Sequence, residues 1–334
     1  MGLREFISPT GLLILVALAF DFLNGFHDSA NIVATIISSR SMRPSKALAM
    51  SAVAEFIAPF LFGVAVATTI GHDIVDPRAI TISVIFTALL SAIIWNLITW
   101  YFGIPSSSSH ALIGGIIGAV AIAYGVKLIQ LKGLEKVIAA LFISPILGMI
   151  VGYVLMKVML FMVRGATPKV NIFFKRGQAL TTLSLALSHG TNDAQKTMGI
   201  ITMGLVSAGY LDEFRVPVWV IAACAAAISL GIAAGGWRII RTLGGKFYKI
   251  RPIHGFTAQA SSAVVILGAA LLGGPVSTTH VVSSAIVGVG SAERLSKVRW
   301  RVMQEIALAW VLTIPATALM ACGLYPLVCR VLYT

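Results

Sequence analysis

Residues 11–38 read GLLILVALAFDFLNGFHDSANIVATIIS, an apolar stretch whose middle is interrupted by polar side chains. A helix needs about 20 apolar residues to cross the hydrocarbon core of a bilayer, and this stretch is long enough. An ionised carboxylate such as that of Asp28 is costly inside a membrane, and such residues face a cavity or a transport path. The stretch therefore predicts a membrane-spanning segment that carries a functional site.

The composition of the whole chain agrees with a membrane location. Of 334 residues, 58% are hydrophobic and 11% are charged, whereas about a quarter of the residues of a soluble domain are charged. These values exclude a soluble enzyme, a nucleic-acid-binding module and a disordered protein. The net charge of +13 fits Lys and Arg residues gathered in cytoplasmic loops. We expect the lipid bilayer, and no nucleic acid, as a partner.

Apolar stretches recur in two sets of five, separated by a basic stretch. The sequence predicts a first repeat at 1–163, a linker at 164–177 and a second repeat at 178–334. The expected segments are 6–37, 46–70, 80–103, 105–125, 137–163, 178–208, 217–241, 255–273, 275–291 and 303–332.

Two motifs occur once in each half and in the same order. A shift of 165 residues superposes Gly25 and Asp28 on Gly190 and Asp193. A shift of 170 residues superposes PSSSSH at 105–110 on PVSTTH at 275–280. The repetition of both motifs indicates an internal duplication.

Loop charges predict that the two repeats have opposite orientations. The loop at 40–46 is basic and its counterpart at 212–215 is mainly acidic, whereas the loop at 73–78 is mainly acidic and its counterpart at 238–251 is basic. Because basic loops stay in the cytoplasm, we expect a cytoplasmic linker, external termini and a plasma-membrane location. The lysines at 127–136 oppose this assignment. The expected fold is an all-α polytopic membrane protein of two inverted-topology repeats, the architecture of secondary transporters.

The first motif predicts a cation site. The first apolar segment is too long for one straight crossing, and a glycine precedes each carboxylate, so we expect the helices to break at Gly25 and Gly190. Carbonyls freed by a break, together with Asp and Asn oxygens, suit a hard cation such as sodium. Alternatively, the polar residues only form buried hydrogen-bonded networks that hold the helices together.

The second motif predicts an anion site. Proline followed by Ser or Thr is a helix-start signal, and each copy joins two apolar stretches. The copies could be surface loops, but we expect the tips of re-entrant hairpins, where the amides and hydroxyls of 107–109 and 277–279 cradle an oxyanion. His110 and His280 could contact substrate, carry a proton or orient the cradle. His189 is expected to be structural, and Glu55 to take part in coupling or to pair with Lys196 or a backbone group.

Together these motifs resemble the paired signatures of the inorganic phosphate transporter (PiT) family. The resemblance implies a symporter, not an enzyme, that imports inorganic phosphate with sodium or protons and needs no cofactor beyond the transported ion. It implies sodium ligands at Asn24, Asp28, Asn192 and Asp193. It implies phosphate contacts at Asn31, Ser107, Ser108, Ser109, Gln195, Lys196, Ser277, Thr278 and Thr279. Two positions depart from the family pattern: His27 replaces an asparagine, and Gln259 stands where animal members have a glutamate.

The sequence is also compatible with other functions. The oxyanion could be sulfate, and the coupling ion could be the proton, with histidines and Glu55 as carriers. An intramembrane hydrolase could use the His27-Asp28 and Ser109-His110 pairs, but neighbours in sequence do not face each other on a helix. A passive channel is a further alternative. The oligomeric state is not encoded in any motif, and a homodimer is among the options.

Overall fold

The computed structural model describes residues 8–64, 67, 79–272 and 276–333, and the regular elements of these residues are helical. The acidic loop at 73–78 and Pro275 lie outside the described residues. The helices are α1 Pro9–Ser38, α2 Pro44–Phe62, α3 Ile82–Phe102, α4 Ser108–Tyr124, α5 Leu131–Met162, α6 Val170–Ser207, α7 Val218–Ala234, α8 Trp237–Arg241, α9 Pro252–Leu271, α10 Thr278–Glu293 and α11 Trp300–Tyr333.

The predicted class, an all-α polytopic membrane protein, is confirmed. Among the described residues, six helices are long and apolar enough to cross a bilayer: α1, α2, α3, α9, and most of α5 and α11. A seventh span forms if α7 is joined to α8 and the turn that follows it, a pair bent by 56°. α6 begins at Val170, eight residues before the expected segment. Its first turns carry the exposed side chains of Lys175 and Arg176, which is why the sequence assigned them to the linker.

The predicted breaks at Gly25 and Gly190 are wrong. α1 and α6 run through both positions, and neither glycine has a positive φ. Their small size serves close packing instead, since a Cβ on Gly25 would lie 2.1 Å from the carbonyl oxygen of Ile228, and one on Gly190 would lie 2.6 Å from the Glu55 carboxylate. A helix longer than the bilayer is thick can tilt rather than break.

Helices of the two halves pack against each other in a reciprocal pattern. α1 packs on α7 while α6 packs on α2, and α4 packs on α11 while α10 packs on α5. Buried apolar side chains form two clusters that each draw on both halves. Along α1 and α6, the polar stretches 21–29 and 188–193 lie between the members of one cluster and those of the other.

The starts of α4 and α10 are buried inside the protein, as re-entrant tips require and surface loops do not. Ser107 and Ser277 are 1% and 3% exposed. Each accepts a hydrogen bond through its Oγ from the backbone N–H three residues on, that of His110 or His280, over 3.3 Å. These caps satisfy amides that would otherwise be unpaired at a helix start.

An ionic cluster fixes the opposite end of α10. The Glu293 carboxylate pairs with Arg251, with His254 Nε2 at 2.8 Å and with Lys297 Nζ at 2.5 Å. These contacts join the end of α10 to the start of α9 and to the turn that follows α10, so they hold the helix that carries Thr278 and Thr279.

Candidate functional site

Four elements meet in the interior: the middles of α1 and α6 and the starts of α4 and α10. They bring together Asp28, Asp193, Lys196, Thr278 and Thr279, each at most 2% exposed. In a medium of low dielectric, charges this deeply buried must be paired or hydrogen-bonded. Their partners therefore define what the site can hold.

Asp28 is surrounded by hydrogen-bond donors. His27 Nδ1 lies 2.9 Å from Asp28 Oδ1, and the hydroxyl of Thr279 donates to the same oxygen over 3.2 Å. The hydroxyl of Thr278 lies 3.5 Å from Oδ2. The first carboxylate is thus held by the start of α10, which belongs to the other half of the chain.

Asp193 forms an ion pair with a lysine of its own helix. Lys196 Nζ contacts Asp193 Oδ1 and donates to Ser109 Oγ over 2.5 Å, so it links the second carboxylate to the start of α4. The hydroxyl of Thr278 also lies 3.1 Å from Asp193 Oδ2. Thr278 therefore bridges the two carboxylates, which belong to equivalent positions of the two halves.

His189 lies between the acids, although it was expected to be structural. Its Nε2 is 3.2 Å from Asp193 Oδ2 and 3.6 Å from Asp28 Oδ2, and its Nδ1 is 2.7 Å from Glu55 Oε1. The partner of Glu55 is thus His189, not Lys196. The signal available in the sequence was spacing, because His189 precedes Asp193 by four residues and so shares its helix face.

These groups could hold a cation. One ligand atom each from Asp28, His189 and Asp193 lies within 4.8 Å of the other two. The carboxylate oxygens and the Thr278 hydroxyl are oxygen ligands of the kind that sodium prefers, whereas imidazole suits transition metals. Asn24 and Asn192 are close to the two aspartates in sequence, and both are buried. The amide oxygen of Asn24, however, already accepts a hydrogen bond from Ser108 Oγ over 2.6 Å.

The residues expected to bind the oxyanion divide into two groups. Asn31 Nδ2 donates to Thr279 Oγ1 over 3.0 Å, so it joins the network around Asp28. Gln195 contacts the backbone beyond α2: its side chain donates to the carbonyl of Gly63 over 2.6 Å and accepts from the N–H of Ala67 over 3.2 Å. It therefore ties α6 to the chain that follows α2.

The histidines of the second motif meet each other. The rings of His110 and His280 lie 5.0 Å apart, and His280 stacks on Trp310 at 4.0 Å. Trp310 Nε1 donates to the carbonyl of Pro105 over 3.0 Å. This chain of contacts joins the two helix starts and, of the three expected roles, favours orientation of the cradle.

Both positions that depart from the family pattern are buried. Ring nitrogen Nε2 of His27 faces the hydroxyls of Thr99 and Ser106 at 3.4 and 3.5 Å. Gln259 bonds to Thr181 and Thr182 over 2.8 Å. His27 thus belongs to the carboxylate network, whereas Gln259 pairs with hydroxyls of α6 two turns or more from His189.

Known proteins resemble this chain in sequence along most of its length. Residues 24–169 and 163–321 match the sequence model of the phosphate transporter family. A protein of Rhizobium meliloti (strain 1021), described as a probable low-affinity inorganic phosphate transporter, is 49% identical over 315 residues, which cover 94% of each chain. One of Bacillus subtilis (strain 168), described in the same words, is 46% identical over 313 residues, 92% of this chain and 94% of the relative.

A solved structure shares the fold. It is titled "The sodium-dependent phosphate transporter" and superposes with a TM-score of 0.83 at 24% sequence identity. The match covers 96% of this chain and 100% of the other. At this level of identity the likeness concerns the arrangement of helices.

Proposed function

Because the chain belongs to the phosphate transporter family, we propose that it imports inorganic phosphate through the plasma membrane by symport with sodium. The observation that carries this proposal is the pair of buried carboxylates, Asp28 and Asp193, bridged by the Thr278 hydroxyl at the start of α10. The site thus unites oxygen ligands for a cation with hydroxyl and ammonium donors for an oxyanion.

The sodium ligands we propose are the oxygens of Asp28, Asp193 and Thr278, with the amides of Asn24 and Asn192 completing the set. Sodium would replace the hydrogen-bond donors that now satisfy the carboxylates. Phosphate is an anion, and an inside-negative potential opposes its import by about 2.3 kcal/mol per charge per 100 mV. Co-transport of two or more cations removes that cost, and two carboxylates provide for two ions.

For phosphate we propose a cradle at the starts of α4 and α10. Lys196 supplies an ammonium donor, and Asn31 supplies an amide donor. The hydroxyls are those of Ser107, Ser108, Ser109, Ser277, Thr278 and Thr279. Ser107 and Ser277 already cap their helices, and Gln195 binds backbone groups near Gly63, so we expect their contribution to be indirect.

The transport cycle we propose is alternating access between two inverted repeats, 1–163 and 178–334, joined by a cytoplasmic linker at 164–177. The contacts support this arrangement. Asp28 and Asp193 share Thr278, while Asp21, earlier on α1, pairs with Thr197, later on α6. Equivalent helices that pair in this order run antiparallel, as inverted topology requires.

Counterflow of labelled phosphate in proteoliposomes tests the proposal. We expect purified protein to exchange phosphate, to accumulate it when sodium is supplied outside, and to lose accumulation when choline replaces sodium. Excess sulfate should compete weakly, because hydrogen phosphate can donate a hydrogen bond to a buried carboxylate and sulfate cannot. Full competition by sulfate would show that the site does not prefer phosphate. Accumulation without sodium would show that sodium is not the coupling ion.

Proton coupling is a second candidate because of one observation. Both ring nitrogens of His189 face carboxylates, with Glu55 on one side and Asp28 and Asp193 on the other. Such a carboxylate–imidazole chain can pass a proton across the site. This candidate predicts accumulation driven by an inward proton gradient in sodium-free buffer, with loss in Glu55→Gln and His189→Gln. Sodium coupling predicts no such accumulation in the unsubstituted protein.

A further inference from the structure

Asp21 is a buried acid that the proposed site does not use. It lies seven residues before Asp28, so the two carboxylates share a face of α1 about two turns apart. Its side chain is 0% exposed, and Oδ1 accepts a hydrogen bond from the Thr197 hydroxyl over 2.8 Å. Oδ2 has no hydrogen-bond partner within the described part of the chain. One acceptor atom is therefore left over in the protein interior.

The cation nearest in sequence to Thr197 does not neutralise Asp21. Lys196 is engaged by Asp193 and Ser109, and the other neighbour is the thiol of Cys224, which is only a weak donor. A buried carboxylate whose donors are a hydroxyl and a weakly donating thiol, and which has no cation beside it, is costly. The free oxygen beside a hydroxyl offers a cation the ligands that the carboxylate otherwise lacks.

The Asp21–Thr197 pair has no acid–hydroxyl equivalent at the matching positions of the two halves. The shift of 165 residues that relates Asp28 to Asp193 places Ala186 opposite Asp21 and Ile32 opposite Thr197. Both are fully buried members of one apolar cluster. In inverted repeats, equivalent positions lie on opposite sides of the membrane midplane. The side of the site that faces the N-terminus of α1 thus carries a buried acid in this layer. On the other side the polar groups are neutral, with Gln259 donating to the Ile32 carbonyl over 3.2 Å and to Thr182 over 2.8 Å.

Side-chain oxygens are also spaced along α1 between Asp21 and the proposed sodium site. Asp21, Asn24 and Asp28 stand at i, i+3 and i+7 on α1 and so follow one face of the helix. All three are at most 1% exposed. A sodium ion moving along this face would exchange one carboxylate for the next through an amide oxygen.

We propose that Asp21 and Thr197 form an additional sodium site through which the ion passes from the external side to Asp28 and Asp193. The proposal rests on the proposed sodium symport and on external termini. Because the cytoplasmic counterpart is Ile32 and Ala186, the site acts on sodium that arrives from outside and not on sodium that arrives from the cytoplasm.

The test is phosphate transport in proteoliposomes that contain protein of one orientation. Initial uptake is measured against external sodium, and efflux against internal sodium, for the unsubstituted protein and for Asp21→Asn. We expect the external sodium concentration at half-maximal uptake to rise about tenfold in Asp21→Asn, the factor that corresponds to one lost charge-assisted contact. The internal sodium dependence of efflux should not change.

Thr197→Val provides a second variant that keeps the carboxylate, and it decides the matter if Asp21→Asn does not fold. It should raise the same external value severalfold. Thr202→Val is the matched control, because Thr202 is a buried residue of α6 whose hydroxyl, among the residues that the structure describes, bonds within its own helix, to the carbonyl of Met198. We expect it to behave as the unsubstituted protein.

Several outcomes would overturn the additional site. Half-maximal sodium within twofold of the unsubstituted protein in both variants would do so, as would equal changes in uptake and efflux. A change confined to proton-driven uptake in sodium-free buffer would make Asp21 a proton carrier instead. If the unsubstituted protein needs no sodium at all, sodium symport itself fails, and that result is visible before any variant is compared.

Discussion

Asp28 and Asp193 occupy equivalent positions in the two halves, yet they have different counter-groups. Asp28 is held by the imidazole of His27 and by two threonine hydroxyls, whereas Asp193 contacts the ammonium group of Lys196. A lysine therefore accompanies Asp193, whereas no lysine or arginine accompanies Asp28 among the contacts of the described residues. The two acids are therefore expected to contribute unequally to cation binding.

Replacing either carboxylate by its amide should abolish sodium-dependent uptake. Asp28→Asn and Asp193→Asn keep the shape of the side chain and remove the charge that attracts sodium. We expect uptake to fall at least about a hundredfold, which matches roughly 3 kcal/mol for a lost buried charge partner. The measurement is sodium-driven uptake of labelled phosphate, with size-exclusion elution as a check of folding. Normal uptake by either variant would contradict the assignment.

The Lys196–Asp193 pair should matter for stability as well as for binding. Lys196→Met leaves the Asp193 carboxylate buried without its cation, and breaking a buried pair in this way costs about 3–5 kcal/mol. The double variant Lys196→Met/Asp193→Asn should recover part of that loss, because it removes both charges. Thermal unfolding in detergent measures each variant. Lys175→Met, an exposed change on the same helix, should have little effect, and an unstable double variant would argue against the pair.

At the level of helices, two glycines set how closely the short helices approach the long ones. A Cβ on Gly118 of α4 would lie 2.1 Å from the carbonyl oxygen of Ala318 in α11, and one on Gly288 of α10 would lie 2.2 Å from that of Met149 in α5. The obstacles are backbone atoms, which cannot swing aside. These equivalent glycines hold the helices that carry the cradle.

Gly118→Ala and Gly288→Ala should each separate a cradle helix from its neighbour. We expect a loss of about 1–3 kcal/mol in unfolding free energy, the range found when a packed interior is overfilled, and reduced phosphate counterflow. Gly323→Ala in α11 is the control, since its Cβ would meet nothing within 4 Å and alanine favours helix. Equal melting temperatures for all three variants would show that the close contacts are not needed.

For the molecule as a whole, the reciprocal packing makes each half depend on the other. α1 and α4 of the first half pack on α7 and α11 of the second, and α6 and α10 pack on α2 and α5. The turn between the halves contributes little to this packing, because Gly165 has a positive φ and open space around it. The halves are joined by helix contacts more than by the linker.

Cutting the chain at Gly165 should therefore be tolerated when both pieces are present. Fragments 1–165 and 166–334 expressed together should copurify and perform phosphate counterflow. Either fragment alone should aggregate, because it exposes the polar and small residues that the other half covers. Co-purification of differently tagged fragments provides the measurement. A folded, soluble-in-detergent single half would show that the two repeats are independent.

Membrane orientation can be measured with a reagent for thiols that does not cross membranes. Asp212→Cys and Lys169→Cys place a thiol at exposed positions on opposite predicted sides. We expect labelling of Asp212→Cys in intact cells and of Lys169→Cys only after permeabilisation, because loop charges predict a cytoplasmic linker. The unsubstituted protein controls for the native cysteines. The reverse pattern would invert the proposed topology and, with it, the direction assigned to Asp21.

Composition and spacing were enough to predict the helical membrane class and to single out Asp28 and Asp193, which are buried; the duplication that they indicate stays a prediction. These features are local or periodic: apolar length reflects the bilayer, and a repeated motif can be compared with itself. The buried starts of α4 and α10 could also be predicted, since proline and serine at 105–107 have a known meaning at helix starts.

Contacts between distant parts of the chain could not be predicted in this way. Gly25 and Gly190 indicated breaks on local grounds, but each receives the backbone or side chain of a helix from the other half, so α1 and α6 stay continuous. His189 had no visible partner until folding placed Glu55 from α2 beside it. The ligands of the site come from four helices, and only packing brings side chains so far apart in sequence to within hydrogen-bonding distance.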